Sequence, residues 1–287
     1  MALLTKFDPW SSKFCTCPPK LTFNPYTGCD HKCLYCYASS YIPRFFNCRP
    51  KKDLISKLRR EALRLKGELI SISNSSDPYP NVEAEIGLTR QCLLILSRSR
   101  CKIQIITKST LVVRDSDLLK HAQSMVAMTV TTSDDNLSKV LEPGAPPSSE
   151  RLKAIAKLID EGIPVSVRVD PIIPYLNEDQ QQLIKELASI GVRHITGSTY
   201  KVRPDSWQRI SLAMPKLAER LRPLYFRMGE KVGKCRYLPM GLRLKLMEDL
   251  AALAKMHGLK FAVCREGFTH INNAVCDGSW LIGAGIA

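Results

Sequence analysis

The sequence contains no uninterrupted apolar run of about 18 residues, so no segment reads as a membrane-spanning helix. Its opening, MALLTKFDPW, carries neither an apolar h-region nor a small-residue cleavage site; no signal peptide and a cytoplasmic location are expected. Internal repeats and low-complexity tracts are absent. The patterns G-x4-G-K-S/T and G-x-S-x-G are missing too, which leaves P-loop triphosphatase and serine hydrolase readings without support. Histidine is scarce, five in 287 residues, and His121, His194, His257 and His270 show neither i,i+4 pairing nor ligand spacing. Negative charge is also short. Twenty-seven Asp and Glu face 42 Lys and Arg, a net charge of +15. That balance suggests a polyanionic partner, nucleic acid first and an acidic membrane surface second; the plain alternative is a solvated basic face.

Hydrophobic residues make up 45% and charged residues 24%, the composition of a soluble globular chain rather than a disordered one. β-Branched runs recur at 21–24, 69–73, 102–107, 125–131, 164–169, 193–199 and 259–264. Between them lie stretches with helical spacing. Residues 52–66 place Leu54, Ile55, Leu58, Ala62 and Leu65 on one face, and residues 149–161 end at Gly162. Residues 178–190 follow Asn177 as a candidate N-cap, and residues 242–257 end at Gly258. Alternating strand and helix predicts parallel βαβ units: an α/β fold, either a full or partial barrel or a doubly wound open sheet. In both, binding groups collect at the C-terminal ends of the strands. Asn74-Ser75-Ser76-Asp77, Lys108-Ser109-Thr110, Thr131-Thr132-Ser133 and Asp170-Pro171 each follow a strand, so one ligand site built from several loops is expected. Residues 200–241 break the pattern. They lack a clear strand, hold Pro204, Pro215, Pro223 and Pro239, and interleave Arg222, Arg227, Lys231, Lys234 and Arg236 with Tyr225, Phe226 and Tyr237; an elaborated loop beside the barrel is expected.

Cysteine is abundant. There are eleven, an odd number, and six fall within the first fifty residues, which points to metal rather than to disulfides. Cys29, Cys33 and Cys36 are spaced C-x3-C-x2-C, which no helix or strand presents on one face, so the motif is a loop folded around its ligand. Structural zinc ordinarily takes four ligands, and only one C-x2-C knuckle is present. Three thiolates and a vacancy suit a [4Fe-4S] cluster with one open iron.

With Tyr35 before its last cysteine and a short strand ahead of it, the motif resembles the signature of the radical S-adenosylmethionine (SAM) superfamily. The wider stretch Asn24-Pro25-Tyr26-x-Gly28-Cys29-x-His31-x-Cys33-x-Tyr35-Cys36-Tyr37-Ala38 resembles the branch related to spore photoproduct lyase, often labelled DNA repair photolyases. Thr107-Lys108, Glu142-Pro143-Gly144 and Arg151-Leu152 match that branch in kind and order. Cys264-Arg265-Glu266-Gly267-Phe268 with Cys276-Asp277-Gly278-Ser279 resembles an archaeal-type subgroup of uncharacterised members. The resemblance implies a partial (β/α)6-type radical SAM barrel with a C-terminal extension. Its expected parts are an N-terminal segment (1–19), the barrel core (20–199), the basic and aromatic insertion (200–241), and a helix, strand and tail packing on the barrel (242–287).

The resemblance also implies a role for each site residue. Cys29, Cys33 and Cys36 hold the cluster. Ser73, Asn74 and Asp77 accept the methionyl ammonium, Lys108 meets the carboxylate, Thr129 is a polar cofactor contact, Arg168 points into the barrel near that carboxylate, and Tyr35 packs near the adenine. Each has a plainer reading. Asn74 and Asp77 cap the turn before Pro78, Lys108 is a solvated loop lysine, or Arg168 is an ion-pair partner. The expected chemistry is reductive cleavage of SAM to a 5′-deoxyadenosyl radical, with an electron donor as partner. The substrate is expected to be a nucleic acid, a base stacking on Tyr225 or Tyr237, or else a peptide or small metabolite; a non-enzymatic iron–sulfur module is the remaining alternative. The lyase has a cysteine just after its second strand, whereas this chain has Ser73-Asn74-Ser75-Ser76, so thymine-dimer reversal is not implied. Among the other cysteines, Cys92 and Cys101 read as small core residues. Cys15, Cys17, Cys264 and Cys276 would meet if the two ends of the barrel approach, as an auxiliary cluster or zinc site.

Overall fold

A computed structural model describes residues 2–7 and 12–283. The strands, in chain order, are β1 (Thr5–Lys6), β2 (Leu21–Phe23), β3 (Tyr26–Thr27), β4 (Arg49–Pro50), β5 (Leu69–Ile72), β6 (Lys102–Thr107), β7 (Ser124–Thr129), β8 (Val165–Ile172), β9 (His194–Thr199), β10 (Glu230–Val232), β11 (Cys235–Tyr237) and β12 (Lys260–Val263). Every β-branched run expected from the sequence is a strand of one sheet, ordered β1-β2-β5-β6-β7-β8-β9-β12. From β2 to β12 all pairings are parallel; β1 is added antiparallel at one edge.

The strand order decides between the two architectures left open by the sequence. Each strand joins the same growing edge, with no reversal. Right-handed crossovers repeated in one direction put every crossover helix on the same face. A doubly wound sheet needs a reversal, so this sheet is of the barrel type. It remains a partial barrel, with β1 and β12 as its two edges.

The period of two along each strand then sorts the side chains. Val126 and Met128 of β7 face the main apolar core, with Leu93, Ile155, Leu158, Leu187 and Leu250 from the covering helices. Met125 and Ala127 face the other way and pack on Leu281 and Ile282 of the C-terminal tail. Around them this inner face is polar: Ser71 donates to Gln104 (3.1 Å), and Gln104 donates to the Asp277 carbonyl (2.8 Å). The tail therefore fills the N-terminal end of the interior and leaves the C-terminal end open.

Two sequence expectations change. Residues 200–241 are not an elaborated loop but two helices, Pro204–Ala213 and Pro215–Phe226, and the β10–β11 hairpin. Pro204 and Pro215 stand at the first helical position, where a missing N–H costs nothing, so these prolines begin helices rather than interrupt them. Asn177 does not cap the following helix, which runs Gln181–Ser189. Its side chain instead accepts from Ile173 N (2.7 Å) and donates to the carbonyls of Thr131 (2.8 Å) and Pro171 (3.0 Å).

Candidate active site

At the C-terminal ends of the strands lies a cavity of about 500 Å³. Cys29, Cys33, Cys36, Tyr35, Ser73, Asn74, Asp77, Lys108, Thr129 and Arg168 all line it. The expectation of one site assembled from strand-end loops holds for Asn74–Asp77, Lys108 and Asp170-Pro171. It does not hold for Thr131-Thr132-Ser133 or Ser109-Thr110, which are absent from the wall. Two of their hydroxyls serve the backbone: that of Thr132 accepts from Asp134 N (3.1 Å), and that of Ser109 from Leu111 N (3.3 Å).

The cysteine loop is held from several sides. Gly28 turns it at φ +85°, and a Cβ there would lie 2.3 Å from the Phe45 carbonyl oxygen, so only glycine fits. Cys29 N donates to that same oxygen (2.8 Å), Leu34 N to the Leu141 carbonyl (2.8 Å), and Gly144 N to the His31 carbonyl (2.9 Å). Arg209, in the helix Pro204–Ala213, donates to the carbonyls of Leu34 (3.0 Å) and Cys36 (2.8 Å). The sequence carried no signal for Arg209, because the contact spans more than 170 residues.

Burial pushes all three thiols up, that of Cys33 to about 12, with Lys108 partly opposing the effect there. Buried thiols this reluctant to ionise need a cation to become thiolates, and a soft metal centre supplies one. The cavity wall also holds two buried hydroxyls, Ser73 and Ser76, with no hydrogen-bond partner among the described residues. Ser73 is held at φ +70°. Orphaned hydroxyls on a cavity wall fit a polar ligand there.

Asp77 ties the site together. It accepts from Thr107 Oγ1 (2.7 Å), Lys108 N (2.8 Å) and Tyr79 N (2.9 Å), and its carboxylate is 3.5 Å from His31 Nδ1. Asn74 donates its side-chain amide to Thr22 Oγ1, and its backbone carbonyl accepts from the Tyr37 hydroxyl (2.7 Å). Asn24, which opens the motif but was given no role of its own, accepts from Asn74 N (3.1 Å).

A buried charge network stands behind Lys108. Glu142 pairs with Arg151 (2.5 Å), accepts the Tyr35 hydroxyl, and lies 4.0 Å from Lys108 Nζ. Burial opposes the Glu142 carboxylate, but Arg151 and Lys108 outweigh it and hold its pKa below the usual range. Burial likewise opposes the Lys108 ammonium, while Cys33 and Glu142 raise its pKa. Lys108 also sits 5.5 Å over the Tyr35 ring. Thr129 lines the wall beside them, and its carbonyl accepts from Arg151 (3.1 Å). Arg168, the register partner of Thr129 on the neighbouring strand, pairs with Asp170 at 2.6 Å. Lys108 is thus no solvated loop lysine.

The base-stacking expectation for Tyr225 and Tyr237 is corrected. Both rings are fully buried; Tyr225 donates to the Tyr200 carbonyl (2.8 Å). Of the interleaved aromatics only Phe226 reaches the surface, with the Arg236 guanidinium 4.9 Å from its ring. Tyr41, at the cavity wall, is 41% exposed.

The fold and site define a radical SAM enzyme. The family model for the Radical SAM superfamily matches residues 23–188, and the chain belongs to that superfamily. Its enzymes use a [4Fe-4S] cluster and SAM, the cofactors this donor set suits. Among curated relatives, an uncharacterised protein of Mycobacterium tuberculosis is 29% identical over 265 residues, covering 84% of this chain and 76% of its own. An uncharacterised Methanocaldococcus jannaschii protein is 34% identical over 165 residues, 55% of this chain and 62% of that one. Among solved structures, a spore photoproduct lyase mutant with bound AdoMet and dinucleoside spore photoproduct has the same fold: TM-score 0.63 at 17% identity, covering 89% of this chain and 79% of that one. The methyltransferase TsrM from Kitasatospora setae gives a TM-score of 0.57 at 15% identity, over 92% of this chain and 58% of its own.

Proposed function

We propose that Cys29, Cys33 and Cys36 hold the [4Fe-4S] cluster and that SAM occupies the cavity beside them. The observation that carries this reading is the convergence of the three thiols, the Lys108 ammonium and the orphaned Ser73 and Ser76 hydroxyls on one cavity. When bound and reduced by an external electron donor, the cluster would supply the electron for cleaving SAM to methionine and a 5′-deoxyadenosyl radical. The chain's own residues do the rest. Lys108, whose ammonium Cys33 and Glu142 favour, meets the methionyl carboxylate, and Arg168, beside Thr129, contributes further positive charge. Ser73 and the Asn74 segment offer acceptors to the ammonium. Asp77, whose oxygens already serve Thr107, Lys108 and Tyr79, fixes the strand ends against the cysteine loop. Tyr35 gives the adenine an apolar edge. The protein's task is orientation and exclusion of water.

Anaerobic reconstitution with iron and sulfide, then dithionite and SAM, tests this: 5′-deoxyadenosine and methionine should form and vanish in Cys29→Ala, Cys33→Ala and Cys36→Ala. A fully loaded wild-type cluster whose spectrum SAM leaves unchanged would overturn it.

The substrate class we favour is nucleic acid. The +15 net charge, the exposed Arg222, Arg227, Lys231 and Lys234, and Tyr41 at the cavity wall support it. Two spore photoproduct lyase structures that share this fold contain a dinucleoside spore photoproduct. The Tyr41 ring has Arg203 at 5.6 Å and Tyr37 nearly parallel at 6.4 Å, so it is braced as a stacking platform.

A further inference from the structure

Cys15, Cys17, Cys264 and Cys276 are far apart in sequence, and the fold brings them together. Thr196 and Ser198, two residues apart on β9 and so on the same face, accept no role in the apolar core; they hold the carbonyls of Cys276 (2.8 Å) and Cys264 (3.1 Å). Cys264 directly follows β12 and donates its N–H to the Gly197 carbonyl (2.8 Å). The N-terminal pair is brought in by Lys20, whose buried ammonium lies 2.6 Å from Asp277. Cys17 and Cys264 both line the cavity, as does Arg168, and Cys15 stands two residues before Cys17. All four are free thiols.

Core packing does not account for this arrangement. Cys92 and Cys101 belong to the main apolar cluster; among the described residues, none of these four does. Cys15, Cys17 and Cys264 are only half-buried. Four soft donors with no hard ligand in the set select zinc or an iron–sulfur centre over magnesium or calcium.

We propose that Cys15, Cys17, Cys264 and Cys276 form a second, tetrathiolate site for a soft metal centre, separate from the Cys29 triad. Four thiolates around such a centre carry net negative charge, and Arg168 stands where it offsets part of it. The site also has a structural consequence. Cys17 leads into β2 and Cys264 leaves β12, the two ends of the parallel run. A centre bonded to both joins the edges that backbone pairing leaves apart, and because Cys17 and Cys264 line the cavity it forms part of the wall. Among the described residues neither this quartet nor the triad stands at metal-ligand spacing; both are borne on loops or strand ends, and binding draws their sulfurs in.

The test is metal content, independent of SAM cleavage. Wild type, the triad variant (Cys29→Ala, Cys33→Ala, Cys36→Ala), the quartet variant (Cys15→Ala, Cys17→Ala, Cys264→Ala, Cys276→Ala) and the combined variant are purified anaerobically and reconstituted separately with zinc alone or with iron and sulfide. The triad variant should retain about one zinc or about four iron atoms per chain, and the combined variant should lose it; which metal is retained separates the two centres. A triad variant as metal-free as the combined one overturns the proposal. Should the quartet variant fail to fold, alkylation of the triad variant followed by peptide mass spectrometry decides instead. Metal should protect all four cysteines together, and equal labelling with and without metal overturns the site.

Discussion

Glu142, Arg151 and Lys108 form a buried charge group, and its members cannot be removed singly without consequence. Glu142→Gln leaves the fully buried Arg151 guanidinium uncompensated, which should cost about 3–5 kcal/mol in urea unfolding. The same variant should weaken SAM binding, because Lys108 loses the charge that holds it protonated beside Tyr35. Lys108→Ala should reduce SAM affinity by roughly 10- to 100-fold, the range for a lost hydrogen bond to a charged group, read by equilibrium binding to the reconstituted protein. Lys108 and the cysteine triad were legible in the sequence because their motif is local. Arg209 was not, nor was the contact that Asn24 makes, since each acts on backbone groups that lie beside it only after folding.

At the scale of elements, the C-terminal tail and β9 show how tightly the interior is filled. Gly278 has φ +73°, and a Cβ there would stand 2.8 Å from the Cβ of Ser166. Gly278→Ala should therefore destabilise the protein by about 1–3 kcal/mol, measured by thermal or urea melts. His194, at the start of β9, accepts from the Trp280 indole (3.1 Å) and contacts Thr196 Oγ1 (3.2 Å). Burial lowers its pKa from 6.5 to about 4. A group depressed in the folded state is neutral in both states above the unfolded pKa, and its contribution is fully present there. As pH falls from about 6.5 towards about 4, the unfolded chain takes up the proton first, and up to about 3 kcal/mol is lost. Urea melts across that window should show a shallower fall for His194→Asn than for wild type. The helices of 200–241 belong to this scale as well. Their prolines looked like interruptions in the sequence because a proline at the first helical position and one in a loop carry the same letter.

For the molecule as a whole, positive charge should act through binding. If phosphates are the partners, affinity for a single-stranded oligonucleotide should fall linearly with log salt, with a slope of about −0.7 per phosphate contacted. Tyr41→Ala should weaken that binding by about 1–3 kcal/mol, roughly 5- to 150-fold, while leaving the salt slope unchanged, because stacking carries no counterion release. No binding at low salt would instead favour a peptide or small metabolite as substrate. Among the described residues no helix is long and apolar enough to cross a membrane.

The sequence by itself determined the parallel α/β class, the positions of the seven parallel strands and the identity of the cysteine motif. These are local signals: hydrophobic period, turn residues, and ligand spacing within eight residues. Only the tertiary structure decided that the sheet grows in one direction, that the tail fills one end of its interior, and that Tyr225 and Tyr237 are buried while Tyr41 is exposed. It alone brought Cys15 and Cys17 to Cys264 and Cys276. Such outcomes depend on which faces meet across long loops, and a periodic pattern states that a face is apolar or polar without naming what covers it.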